Sequence, residues 1–510
     1  MPKNSSMRYA QLRWKNDREQ RRRFSPSLLR YCRLRLPENL CDTAFKAFGF
    51  LIPSFLRPDQ WTSEVPLAKK TSSQTSWLNG LRGVAALFVV CHHSTLLLFS
   101  WDIHRAYRST SDHIIQLPIL RLIVSGLPQV CIFFVVSGYS ISLTALSHIS
   151  ARRYDDLQRS LASSLVRCHS RLFVPAISVA LMTALWSHWG LFAEENWSDV
   201  PAFPSRPVPR DDSLWRQLLD WARRSIKHAD PMQNSIHDTK GFAYDIDQWT
   251  IPLEFAGSMV VYLLLAALSR FRTVMRLSIL VGVMAWQLIV STSWVAFLFV
   301  GGMFLADLDI FISNSNRKAE STLTRPAHHL RSLRSRILRH IRNFLWTLLL
   351  LLSLYLLSAP EINLGPKDGL SAPGYQSFQS LIPTSYWEMG KEDYFLIPIG
   401  AFLLILCVSR CSLLQRPFTT SFALYLGRIS YSLYLVHGPL LYTFGAWLAG
   451  KVARVPGGDG EHTGGFLHPG LVYIAFWPLA MWWADVVCCG VDEPVVSGLR
   501  ILWERLEFKG

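Results

Sequence analysis

The chain has 510 residues, half of them apolar, with 19 tryptophans and a formal net charge of +16. That apolar content excludes an ordinary soluble enzyme and points to a polytopic membrane protein, so where the positive charge lies matters more than its total. The nine cysteines show no paired metal-ligand spacing and argue for neither disulfides nor zinc.

Residues 1–75 form a basic arm, with 15 Lys+Arg against 6 Asp+Glu. Its short apolar patch begins too late for a secretory signal peptide and carries Pro53, so the arm is expected to be cytoplasmic, loosely ordered and turned to anionic lipid rather than to nucleic acid. From Gly83 to Ser100 no acidic or permanently basic residue occurs, which predicts a first membrane-spanning helix over Ser76–Ser100. On it Arg82 and His93 lie only about 20° apart around the axis and roughly 16 Å apart along it. One helix face thus carries a fixed cation at a membrane surface and a titratable imidazole near mid-membrane, where an ionisable group marks a functional site. His92 points about 100° away and reads as structural.

Further spans are predicted near Leu127–Leu146, Leu172–Phe192, Trp249–Leu268, Val274–Val290, Trp294–Ile312, Phe344–Ala359, Tyr394–Val408, Phe422–Trp447 and Leu471–Gly490. The fold class is therefore all-α, a bundle of about ten transmembrane helices. With the N-terminus inside, inner segments hold 38 of the 52 Lys+Arg, including all of Arg317–Arg342, so both termini are expected to be cytoplasmic. The segment 193–248 then becomes an outer loop with 10 acids against 7 bases. It holds the sequon Asn196-Trp197-Ser198, a poor glycosylation acceptor with tryptophan in its middle. Residues 313–343 become a basic inner loop, and 491–510 a cytoplasmic tail. The hairpin between the fifth and sixth spans has only Ser291-Thr292-Ser293 on which to turn.

Five blocks in order, NGLRGVAALFVVCHHS, FFVVSGYSIS from Phe133, RCHSRLFVP from Arg167, QWTIPLEF from Gln248 and LGRISYSLYLVHGPLL from Leu426, resemble the membrane-bound acyltransferase-3 family, most of all its fungal-type members. The resemblance covers about residues 76–490. It implies acyl transfer from a donor, usually acetyl-CoA, to an acceptor hydroxyl, with activity tied to Arg82 and His93. It also passes the third-span arginine roles to Arg167 and Arg171, although Cys168 stands where many members have another arginine. No tightly bound cofactor or metal is implied; acyl-CoA is a co-substrate.

The residue types suit that chemistry. An alcohol needs a general base, and imidazole, with an unperturbed pKa near 6.5, serves as one, which makes His93 the candidate base. Coenzyme A carries phosphates that guanidinium groups bind well, so Arg82, Arg167, Arg171 and Arg428 are candidate donor-binding residues, with positive-inside anchoring as the alternative for the last three. Glu254, five residues into its span, should face the bundle interior and either orient His93 or hold the acceptor. Tyr431, Tyr434 and His437 form a polar stripe expected to line a cavity, or else to glue helices together. Ser137 and Tyr139 flank Gly138 in a close-packing motif beside that cavity, and Trp249 marks either the cavity or an interfacial belt. Cys91 has nothing near it in sequence to activate it, which favours direct transfer over an acyl-enzyme.

The expected reaction is O-acylation, usually O-acetylation, of a carbohydrate or small hydrophobic metabolite, in secondary metabolism at the endoplasmic reticulum or another endomembrane. The alternative is a proton-coupled transporter using His93, Glu254 and His437.

Overall fold

The computed structural model describes residues 75–99, 101–104, 106–107, 113–192, 208–231, 241–322, 331–361, 372, 374–453 and 467–507. The basic arm up to residue 74, the sequon and residues 362–371 lie outside them. Among the described residues no β-strand forms; the single bridge joins Phe242 and Asp245.

Each of the ten predicted spans is helical. In chain order they are α1 (Ser76–Leu98), α2 (Leu127–Ser150), α3 (Tyr154–His188), then after a shorter helix α4 (Leu214–Ala229) come α5 (Thr250–Ala267), α6 (Thr273–Ile289), α7 (Trp294–Thr322), α8 (Arg331–Leu357), α9 (Asp393–Arg410), α10 (Ser421–Leu440) and α11 (Leu467–Val487). Eight helical stretches among the described residues are long and apolar enough to cross a membrane. Of the ten, α6 is shorter at 17 residues, and α10 is not among the eight because its polar stripe dilutes its hydropathy.

Several boundaries differ from expectation: residues 313–322 and 331–343 of the expected inner loop belong to α7 and α8, α1 stops at Leu98, and α10 gives way at Leu440 to a π-turn, Leu441–Gly445. The basic connection holding Arg159, Arg167 and Arg171 is no loop but the first half of α3, whose 35 residues extend roughly 52 Å and must project beyond a hydrocarbon core of about 30 Å. The last span runs on through a π-turn, Cys488–Asp492, into α12 (Glu493–Leu506), which packs on α3. The Ser291-Thr292-Ser293 hairpin does form. Thr292 takes a left-handed backbone (φ 51°), and the Ser293 amide donates to Gln287 O at 2.8 Å.

Helix pairs approach where glycine removes the Cβ. A Cβ on Gly302 would lie 2.2 Å from Val135 O, and one on Gly138 would lie 2.1 Å from Phe299 O, so α2 and α7 touch backbone to backbone. The interior divides into one apolar cluster centred on α2, α5, α7 and α9 and another centred on α1, α3, α10 and α11.

One buried ion pair had no local signal in the sequence. Arg276 of α6 donates two hydrogen bonds, Nε to Asp307 Oδ2 and Nη2 to Asp307 Oδ1, both 2.6 Å, with the side chains 2% and 1% exposed. Removing one partner strands a charge, so Asp307→Ala should cost about 3–5 kcal/mol and lower the melting temperature of the detergent-solubilised protein. Replacing both residues by methionine and leucine should recover most of the loss; an unchanged melting temperature in the single variant would show that the pair does not hold α6.

Candidate active site

Helices α1 and α10 run the same way in backbone contact. A Cβ on Gly83 would fall 2.3 Å from Gly427 N, and one on Gly427 would fall 2.2 Å from Asn79 O. That contact sets two registers at once. Near it, Arg82 Nη2 donates to Ser430 Oγ at 3.2 Å. Ten residues beyond the two glycines on each helix, the rings of His93 and His437 lie 5.0 Å apart.

The 3₁₀ turn Ile246–Trp249 that leads into α5 puts a carboxylate between those imidazoles. Asp247 Oδ1 is 3.5 Å from His93 Nδ1, and Asp247 Oδ2 is 3.4 Å from His437 Nε2. Gly438 makes the room, since a Cβ there would sit 2.5 Å from Asp247 Oδ2. The turn is held from several sides. The Asp247 amide donates to Asp245 Oδ1 at 3.2 Å, and Gln248 Nε2 donates to Asp245 Oδ2 (3.1 Å) and Ala176 O (3.3 Å). The Tyr434 hydroxyl donates to the Asp247 carbonyl and accepts from Thr250 Oγ1 at 2.6 Å. Burial next to the Asp247 carboxyl raises the pKa of Asp245 well above the usual carboxylate range, while its two oxygens accept from the Asp247 amide and Gln248.

The hydrogen bonds fix the protons. His437 Nδ1 lies 2.6 Å from the Tyr434 carbonyl, which can only accept, so Nδ1 carries the proton. Its Nε2 then faces Asp247 Oδ2, and neither atom makes any other hydrogen bond; a further proton has to sit between them for the contact to be attractive. His93 turns Nδ1 to the same carboxylate, which leaves Nε2 as its lone-pair nitrogen; its side chain stays 21% accessible. His92 donates from Nδ1 to Val124 O at 2.7 Å and is structural, as expected. His93 is not at mid-helix. It lies five residues from the Leu98 end of α1, beside the turn that enters α5. The ligand atoms of His93, Asp247 and His437 all lie within 4.8 Å of one another, a spacing that a divalent cation would also accept.

The other predicted residues fall into separate places. Arg82 is acted on by the charges of Arg171, Glu254 and Asp492, and Glu254 hydrogen-bonds Ser137, so these residues form a second polar group about a helix's half-length away. The Tyr431 hydroxyl beside it donates to Leu172 O. Glu254 therefore belongs with Arg82 and not with His93; the carboxylate at His93 is Asp247. Arg428 donates Nε to Glu493 Oε1 at 2.9 Å and is occupied at the α12 junction. Arg167 bonds its own helix at Ser163 O, 3.0 Å away, whereas Arg171 is exposed. Tyr139 donates to Asp309, which pairs with Arg410 at 2.7 Å, so it joins neither group. Trp249 is half-buried against the apolar core.

Residues 75–491 match the model of the acyltransferase domain family. The chain belongs to that family. It is 34% identical over 470 residues to the O-acetyltransferase PaAT-1 of Phomopsis amygdali, covering 90% of this chain and 89% of that one. It is also 24% identical to acyltransferase clz18 of Cochliobolus lunatus, over 73% and 83% of the two chains, and 23% identical to acyltransferase R4 of a Phoma species, over 75% and 86%. No solved structure matches the chain. The polytopic helical bundle is thus that of an acyltransferase moving an acyl group from a donor to a hydroxyl acceptor.

Around the site, Glu361 accepts the Leu127 amide at 3.3 Å and closes the start of α2. Burial raises its carboxyl from 4.5 to about 7, only partly opposed by Arg121 and the amides of Leu127 and Gly126. A raised acid binds its proton more tightly when folded, so the native state is favoured at low pH and loses stability as pH rises from 4.5 through about 7. Glu361→Gln should flatten the fall in melting temperature across that window; an identical slope in the variant would show that Glu361 does not titrate there.

Proposed function

We propose that the protein O-acylates, most simply O-acetylates, a hydroxyl of a carbohydrate or small hydrophobic metabolite, with an acyl-CoA as donor and His93 as general base. The observation that carries this reading is Asp247 facing Nδ1 of His93. A carboxylate there holds the imidazole with its proton on Nδ1 and its lone pair on Nε2, and it stabilises the imidazolium that forms. The 3.5 Å separation is loose for a hydrogen bond, as is common before substrates bind.

In the step proposed, the acceptor O–H gives its proton to His93 Nε2 and the oxygen attacks the thioester carbonyl. The C–S bond then breaks, and the leaving thiolate takes the proton back from the imidazolium. His437 contributes the proton it shares with Asp247, which limits the charge that the carboxylate carries next to the base. Arg82 and Arg171 lie in the other polar group, roughly 16 Å along α1 from His93. A donor with phosphates at one end and a thioester at the other suits that separation, while Glu254 and Ser137 keep Arg82 in place. The reading places the reaction in secondary metabolism at an endomembrane, and the O-acetyltransferase relative supports the acetyl group. The transporter reading loses its basis, since the chain is an acyltransferase and Glu254 stands apart from the two histidines.

The test is transfer from labelled acetyl-CoA by membranes bearing the protein, with the acceptor found by comparing metabolites with and without the gene. His93→Ala should lower the rate roughly 100- to 10,000-fold. Asp247→Asn should lower kcat with little change in KM for the donor, whereas Arg82→Ala should act mainly on that KM. Prior treatment with a strong chelator should leave the rate unchanged; loss of activity restored by a divalent cation would reassign His93, Asp247 and His437 to a metal.

A further inference from the structure

Helix α4 wears its polar side inward. Trp215 and Ile226, eleven residues apart and so about 20° from one another around the axis, are 69% and 72% exposed. Gln217 and His228 have the same spacing on a stripe about 160° away, and both are buried. Their contacts explain that burial. Gln217 Nε2 donates to Pro209 O and to the Tyr244 hydroxyl, each at 3.0 Å, and its Oε1 accepts the Asp211 amide at 2.6 Å. His228 stacks on Phe242, with ring centres 4.4 Å apart. A helix in water buries tryptophan and isoleucine before glutamine and histidine; here Trp221 packs inward, but the Trp215–Ile226 stripe stays out while Gln217 and His228 go in.

We infer that α4 lies against the lipid bilayer, with Trp215 and Ile226 in the boundary between headgroups and acyl chains. Charge fits that occupant. Arg216, Arg223 and Lys227 are exposed along a single flank, about 80–120° from Trp215, where their long side chains reach lipid phosphates while the stems cover apolar surface. Arg216 has a surface contact with Asp211 at 3.3 Å, and Arg224, further round the helix, pairs with Asp220 at 2.7 Å. Aromatic placement fits as well. Ser187 Oγ donates to Pro209 O (2.8 Å), and His188 Nδ1 donates to Asp211 O (2.9 Å), which brings the first turn of α4 to the end of α3. Trp189 and Trp215, each within four residues of one of these contacts, are both exposed, as tryptophans are at a membrane–water boundary. Leu191, just beyond α3, is exposed as well.

The inward face of the same helix reaches the active site. The Tyr244 hydroxyl accepts from Gln217 and donates to Asp220 Oδ2 at 2.8 Å, and Tyr244 stands three residues before Asp247. Lipid on one side and the turn carrying Asp247 on the other are joined by a single helix, whatever reaction that turn serves.

The experiment uses the full native chain in vesicles of phosphatidylcholine and phosphatidylglycerol. One sample contains a phosphatidylcholine with a diazirine on its acyl chain, and a second receives a water-soluble diazirine. After irradiation, adducts are mapped by peptide mass spectrometry. The lipid probe should mark Trp215 and Ile226 with yields comparable to Leu263 and Trp286, exposed residues of α5 and α6, and the aqueous probe should mark them several-fold less. Absence of lipid adducts at both positions, preferential aqueous labelling, or cross-links there between two copies of the chain would each overturn the assignment.

Discussion

Helices α1 and α10 reach backbone contact only because Gly83 and Gly427 carry no Cβ where they meet, and Gly80 does the same against Phe418 O. Any side chain at these positions would wedge the pair apart by more than a packed interior absorbs. In a membrane no hydrophobic force draws two such helices together, so close van der Waals contact has to do so. Because the helices are parallel and both histidines follow their glycine by ten residues, one contact sets the Arg82–Ser430 bond and the His93–His437 approach together.

Asp247 completes what that contact begins. A buried carboxylate is costly unless its oxygens are answered, and here each oxygen meets one imidazole nitrogen while the backbone of the turn is tied through Asp245, Gln248 and Tyr434. Gly438, next to His437, gives the carboxylate its space. The group is polar but close to self-neutralising, since one carboxylate and a proton shared with His437 leave His93 able to gain charge during a reaction. That is the condition a base in a low-dielectric site has to meet.

Much of this was legible in the sequence, and the reason is hydropathy. Long apolar runs mark all ten helices, and the eleven-residue step from Arg82 to His93 puts both on one face of α1. The polar stripe of α10 correctly marked Tyr434 and His437 for the interior. Asp247 was not legible, because it lies in a segment with more acids than bases, where one further aspartate reads as solvated loop. The available signal was its position, within a turn of the proline-containing start of α5. Glu254 is the inward carboxylate that its place in the span predicts, and of its two expected roles its position beside Arg82 leaves holding the acceptor rather than orienting His93. Seven residues separate it from Asp247, about 10 Å along a helix, which takes it from the level of His93 to that of Arg82. Arg276 and Asp307 lie on different helices 31 residues apart, and nothing in a single sequence pairs them.

The two polar groups are tied most directly by α1 and α10, whose backbones touch, and this shapes how the protein can adapt to what it binds. Two helices in backbone contact neither slide nor lengthen, so the distance from the Arg82 group to His93 is a fixed ruler set by helix rise. Adjustment has to come from the parts that are not in the ruler. On the His93 side that part is the turn before α5, which belongs to the long segment after α3 and is braced by α4 through Tyr244. On the Arg82 side it is the junction at Cys488–Asp492, where a π-turn interrupts the helix ladder, Asp492 acts on Arg82, and Arg428 pairs with Glu493. A fixed spacing along α1 and α10, with the turn before α5 at one end and the π-turn at the other, keeps the two polar groups apart by a set distance while each is completed by its own neighbouring segment.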